Sequence, residues 1–258
     1  MAADPATDTP RPEGLVQRSA GLRRYLAMPA FLALVGGGLY LAVSRRQLDD
    51  IEQRVLTADS LSDAVIRHLE LVGVSTLAVI ALAVPLGILL TRPFARGLTV
   101  PVIGVANIGQ AVPSIGVIVL LGLTLGIGFR YAVYALVLYA FLPVLRNTMV
   151  GLQRVDRAVI EAGRGMGMTR RAVLGRIELP LAVPVILAGI RTALVINVGT
   201  ATLAVFTGAG GLGAPILSGI TLSRTVVLLT GSVLVALLAL ALDYLAGLAE
   251  DLLRPRGL

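Results

Sequence analysis

Long apolar blocks alternate with short polar intervals along this chain, and each block is near 20 residues, continuous rather than alternating. At 1.5 Å per residue such a block matches a helix crossing the roughly 30 Å hydrocarbon core of a bilayer, whereas a spanning strand needs only about ten alternating residues. The pattern predicts an all-α integral membrane protein with about six transmembrane helices. The opening, 1–24, carries Pro, Thr, Asp and Ala without an apolar period and reads as a disordered tail. The first apolar block, 25–44, is longer than the apolar region of a signal peptide, which favours a retained N-terminal helix. A polar interval, 45–70, follows with four Arg and six acidic residues, and the second span is 71–90. Residues 99–127 are apolar but interrupted by Pro101, Pro113 and several glycines, and they read as one long broken crossing. Blocks 131–145, 183–206 and 226–247 complete the core, 71–247, with a Gly-rich loop at 207–225 and a short tail at 248–258.

Charge placement orients these spans. The interval 146–180 holds seven Arg against three acidic residues, and Arg92 and Arg96 follow the second span at once. The excess of basic residues on cytoplasmic loops then puts 146–180 and both termini inside, and 45–70 and 207–225 outside.

Composition supports the class and narrows the chemistry. Of 258 residues, 56% are hydrophobic and 14% charged, with a mean hydropathy of +0.88; soluble domains carry about 25% charged residues. All 22 basic residues are Arg. Without Lys the chain has no phosphate-binding loop of the G-x-x-x-x-G-K-[ST] kind, so ATP-driven work requires another chain to bind the ATP. With no Cys and one His, thiol chemistry and clustered His/Cys metal sites are excluded. The net charge of +7 is explained by Arg in short loops between spans rather than by nucleic acid. His68, beside Glu70 near the start of a span, reads as an interfacial residue rather than a ligand or proton relay. Gly208, Gly210 and Gly213 fit G-x-G-x-x-G, but no βαβ pattern surrounds them, and close packing of a membrane re-entry explains them better. No nucleophile, base and orienting group recur at helical spacing, which argues against a membrane enzyme.

Polar residues inside spans face the bundle interior, either as interhelical glue or along a pathway. Asn107 and Gln110 are three apart, as are Asn197 and Thr200, so each pair shares a helix face and marks a candidate translocation path or glue. Arg191 and Asp243 lie at comparable depth in their spans and are expected to pair or to share a wet interior; the alternative is that Arg191 snorkels alone to the inner surface.

The long inner loop reads as two short helices joined at a hinge. Asp156 can cap the first, Gly163, Gly165 and Gly167 offer left-handed positions that stop it, Thr169 can cap the second, and Pro180 is expected to end the second. This loop resembles the EAA loop of ABC importer permeases: Glu161, Ala162, Gly167, Ile177, Leu179 and Pro180 stand at the family's spacing of Glu-Ala-Ala, three residues, Gly, nine residues, Ile-x-Leu-Pro. Gly163 replaces the second Ala, and since Gly weakens a helix interior the first helix is expected to end early. The resemblance implies a five-helix type I importer core plus one N-terminal helix. It implies as partners an ABC ATPase dimer, a second permease subunit, identical or paralogous, and an extracytoplasmic solute-binding protein, in a bacterial plasma membrane. It places ATP and Mg on the ATPase and no cofactor on this chain.

Further stretches resemble the osmoprotectant importers for glycine betaine, carnitine and choline: Gln110 to Ser114, Leu136 to Ala140 with Pro143 to Thr148, Ala188 to Thr192, and Gly208 to Gly213. The alternatives are the same machinery with another small solute, an amino acid or another betaine-like amine, or an ion-coupled secondary carrier. Against the carrier stand the EAA spacing and the lack of a visible inverted repeat.

Overall fold

The structure, a computed structural model, describes residues 13–253. Eleven α-helices follow one another, with no strand among the described residues: α1 (Glu13–Ser44), α2 (Asp50–Val55), α3 (Ala58–Leu90), α4 (Arg96–Ala111), α5 (Ser114–Leu125), α6 (Phe129–Gln153), α7 (Arg157–Gly165), α8 (Arg170–Val173), α9 (Leu179–Ala201), α10 (Gly213–Thr221) and α11 (Thr225–Leu253). Five helical stretches are long and apolar enough to cross a membrane, and α4 with α5, bent by 96° at Val112 and Pro113, forms the broken pair that makes a sixth. Pro113 supplies the break, because its ring restricts the residue before it to extended backbone, and Val112 has ψ 137°.

The core is the bundle of α3, α6 and α9. Leu71 and Val72 of α3, Ala132 and Leu136 of α6, and Val198 and Ala201 of α9 form one buried cluster; Val79, Ala83, Ala140, Val144 and Ala193 form the next. Alanine recurs among Leu and Val in both clusters, as lipid tails offer no hydrophobic drive and close backbone approach must supply the packing. A Cβ on Gly151 would lie 3.1 Å from the carbonyl oxygen of Ala182, so α6 and α9 touch backbone to backbone there. Helix α11 packs on α9, and α1 packs on α11 at the periphery, with none of its apolar stretch buried. Leu34, Leu77, Phe94, Val100 and Leu123 point outward with more than half their surface exposed. In water such a surface would be an association hazard, and in a bilayer it is the lipid-facing coat.

Several expected boundaries differ. Helix α1 begins at Glu13, so 13–24 continue the first span as helix, and the remainder of the expected tail, 1–12, lies outside the described residues, as does the end of 248–258 from 254 onward. The interval 45–70 is mostly helical. Asp49 and Glu52 form a reciprocal capping box on α2, and the Thr57 hydroxyl accepts from Ser60 N–H to start α3 thirteen residues before the apolar block. Within 207–225 the chain folds back as α10 against α11.

Candidate functional site: the inner loop and its attachment

The segment 155–180 is built from local capping and one tight turn. The Asp156 carboxylate accepts from Ala158 N–H at the start of α7, and the Thr169 hydroxyl accepts from Ala172 N–H at the start of α8. Between them Gly167 has φ +85°, the left-handed conformation that a side chain resists. Gly163 and Gly165 do not serve as stops: both lie inside α7, which continues to Gly165. Gly163 is instead a packing position. A Cβ there would sit 2.6 Å from Ile177 Cδ1, so the missing methyl lets Ile177 seat on α7.

The second half of the loop departs from two short helices. From Arg170 the chain runs as one rod through Ala201, with a π-helical turn at Leu174–Glu178 in which Leu179 N–H donates to Leu174 O. Pro180 therefore does not end the second helix. Lacking an N–H and crowding the carbonyl four residues back, it follows a widened turn, and α9 continues through it. Leu179 packs half-buried with Leu174 against Leu152, Ala182 and Ile186, whereas Ile177 faces α7 rather than a span. Glu161 and Ala162 are exposed on α7, free of the core.

The residue between Ile177 and Leu179 was absent from the expected set. Glu178 is 5% exposed, and its two carboxylate oxygens accept from Arg92 Nη1 at 3.3 Å and Nη2 at 2.6 Å. Arg92 also donates to the Thr91 hydroxyl and, from Nε, to Ile88 O at the end of α3. Its visible signals were an Arg placed directly after a span and an acid placed two residues before Pro180.

A family model for the binding-protein-dependent transport system inner membrane component matches residues 83–256. The chain belongs to that family. The permease is 40% identical to the choline transport system permease protein of Bacillus subtilis over 74% of this chain and 87% of that one. It is 44% identical to a carnitine transport permease protein of Listeria monocytogenes over 69% and 81%, and 39% identical to an osmoprotectant import permease protein of Salmonella typhimurium over 82% and 100%. Among solved structures, an inward-facing methionine ABC transporter superposes with a TM-score of 0.66 at 25% identity, covering 76% of this chain and 96% of that one. The fold is that of a type I ABC importer permease.

Elsewhere the structure separates the polar positions of the permease. Asn197 is fully buried and donates to the Thr76 hydroxyl at 3.1 Å, which ties α9 to α3; Thr200 is half-buried one turn beyond. Asn107 is exposed and accepts from Arg146 at 2.8 Å, and Gln110, half-buried beside the break after α4, donates to Tyr139 O at 2.6 Å. Asn197 thus serves as glue, while Asn107 and Gln110 both lie on α4 before the bend, Asn107 exposed and Gln110 half-buried; the structure does not gather the four into one site. Arg191 and Asp243 do meet, through Nη2 to Oδ2 at 2.6 Å and a second contact from Nε, with Glu250 at 3.9 Å.

His68 is fully buried rather than interfacial, with Nε2 3.0 Å from Val198 O and Nδ1 accepting from Leu212 N–H at 3.3 Å. These roles assign the proton to Nε2 and make His68 a bridge from α3 to α9 and to the Gly-rich loop. That loop is a close-packed turn: Gly208 and Gly210 have φ +66° and +80°, and Gly213 abuts the Thr202 backbone.

Proposed function

We propose that this permease carries an osmoprotectant of the quaternary ammonium class, glycine betaine, carnitine or choline, delivered by an extracytoplasmic solute-binding protein. The observation that carries this reading is the 40–44% identity to permeases named for choline and carnitine, each aligned over more than two thirds of both chains. In this reading two permease chains, identical or paralogous, enclose the path, and an ABC ATPase dimer supplies the power with its own ATP and Mg. The chain itself catalyses nothing. Its Arg-rich loops and both termini lie in the cytoplasm, following the positive-inside distribution of Arg. The loop 146–180 docks on the ATPase: Glu161 and Ala162 present an exposed surface on α7, Gly167 makes the turn that aims it, and Ile177, Leu179 and Pro180 join it to α9. Asn107 and Gln110, at the bend of the broken crossing, are the favoured path residues.

Reconstitution into proteoliposomes with the partner ATPase and each candidate binding protein tests the reading. ATP-dependent accumulation of labelled glycine betaine, carnitine or choline, with proline and methionine as competitors that fail, is the expected result. Accumulation of an amino acid in preference to all three quaternary amines would move the cargo to the alternative class.

A further inference from the structure

We propose that Arg92 and Glu178 are positioning residues of energy coupling, a buried clamp through which movement of the inner loop reaches α3; this rests on the reading of 146–180 as the ATPase-docking loop. Consecutive residues of the π-helical turn point to different neighbours. Ile177 seats on α7, against the space left by Gly163. Glu178 takes hold of Arg92, whose guanidinium is already fixed on the end of α3 by Thr91 and Ile88 O. A push on α7 therefore passes to Ile177, through one peptide bond to Glu178, and across a bidentate charged contact to α3, the helix that with α6 and α9 forms the core.

The loop is also joined to the bundle covalently, to α6 at one end and to α9 at the other. The clamp adds a charged hold on α3, and it resists separation: Glu178 is nearly inaccessible to water, so pulling it from Arg92 would leave a buried carboxylate uncompensated. Two parallel N–H···O bonds also fix the angle between the groups, where a single contact would allow them to pivot. Both contacting residues, Ile177 and Glu178, belong to the π-helical turn, and such turns, with their wider backbone, recur at functional sites.

The test is a double-mutant cycle in the reconstituted transporter with the isosteric Glu178→Gln, the uncharged Arg92→Gln and the pair together. Three quantities are read: ATPase co-purifying with the permease, ATP hydrolysed, and solute taken up per ATP. Each single variant is expected to retain the ATPase and to lose about tenfold in uptake per ATP, and the double variant to lose about tenfold rather than a hundredfold, because one link is broken in all three. Unchanged uptake per ATP in the assembled single variants, with only the yield of complex reduced, would make the pair a fold-stabilising contact and overturn the proposal. Losses that multiply in the double variant would also overturn it, since the residues would then act separately. Failure of the parent permease to hold the ATPase, or full attachment and uptake in Gly167→Asp, would instead remove the docking-loop reading itself.

Discussion

Replacing His68 by leucine removes the hydrogen bonds by which its ring ties α3 to α9 and to the turn after α9, while keeping an apolar side chain of similar bulk. Val198 is fully buried near the end of α9, where Thr202 N–H bonds Gly199 O, and its carbonyl accepts from His68 Nε2. Leu212 N–H points at Nδ1 from a residue with no exposed surface. A buried polar group left unpaired costs about 1–3 kcal/mol, so two groups cost roughly 2–6 kcal/mol before any relaxation or water entry. At about 2–4 °C per kcal/mol for a chain of this size, the melting temperature is expected to fall by on the order of 10 °C. Purified permease in detergent, heated in steps and assayed by size-exclusion for the surviving monodisperse fraction, measures the shift. His68→Gln, which can still donate toward Val198 O, is expected to fall between leucine and the parent. A leucine variant that melts within about 2 °C of the parent would show that His68 fills space without holding the loop, and the argument from orphaned groups would fail.

Three further outcomes follow from the same geometry. Asp243→Asn leaves Arg191 with Glu250 alone, at 3.9 Å; because both partners are about a third exposed, the loss should stay below the roughly 2.5–3.5 kcal/mol of an unpaired intramembrane charge. It should appear as reduced yield of inserted permease, recovered when Arg191→Gln is added, and an unchanged yield with unrecovered uptake would assign the pair a transport role instead. Gly167→Asp forces a side chain onto φ +85° at a strain of about 1–2 kcal/mol, and is expected to spare membrane insertion while weakening ATPase co-purification and abolishing uptake. Cysteine placed singly at Ser60 or Ser218, which line one cleft with Arg67 and Gly210, should react with an impermeant thiol reagent from outside, and cysteine at Thr169 should not; labelling of Thr169→Cys in intact cells would invert the assigned orientation.

The spans, and the caps and tight turn of the inner loop, were legible in the sequence because each follows from a short-range rule. An apolar block of bilayer length must close its backbone bonds within itself, and Asp156, Thr169 and Gly167 act on backbone atoms within a few residues of their own position. Three of the departures involve partners further along or back in the chain. His68 looked interfacial because it stands beside Glu70 near the start of a span, yet its own contacts are with residues 130 and 144 positions on. Arg67, one position away, donates to Ala209 O and lies over the Phe129 ring at 4.4 Å, so a stretch that reads as a loop is a helix held down by the turn after α9. Gly163 looked like a weakened helix, since propensity counts only the missing Cβ; the structure shows the methyl of Ile177 in that space, fourteen residues later. The same limit explains Glu178. A spacing pattern registers Ile177, Leu179 and Pro180, whose roles are set by the turn they share, and passes over the residue among them whose role is set by an Arg 86 positions away. If the clamp transmits force as proposed, the sequence feature to seek in other permeases of this fold is a pair: an Arg directly after the span before the broken crossing, together with an acid between the Ile and Leu of the loop. Either residue alone would place an uncompensated charge at the base of the bundle, and a hundredfold loss in the double variant would remove the reason for the two to occur together.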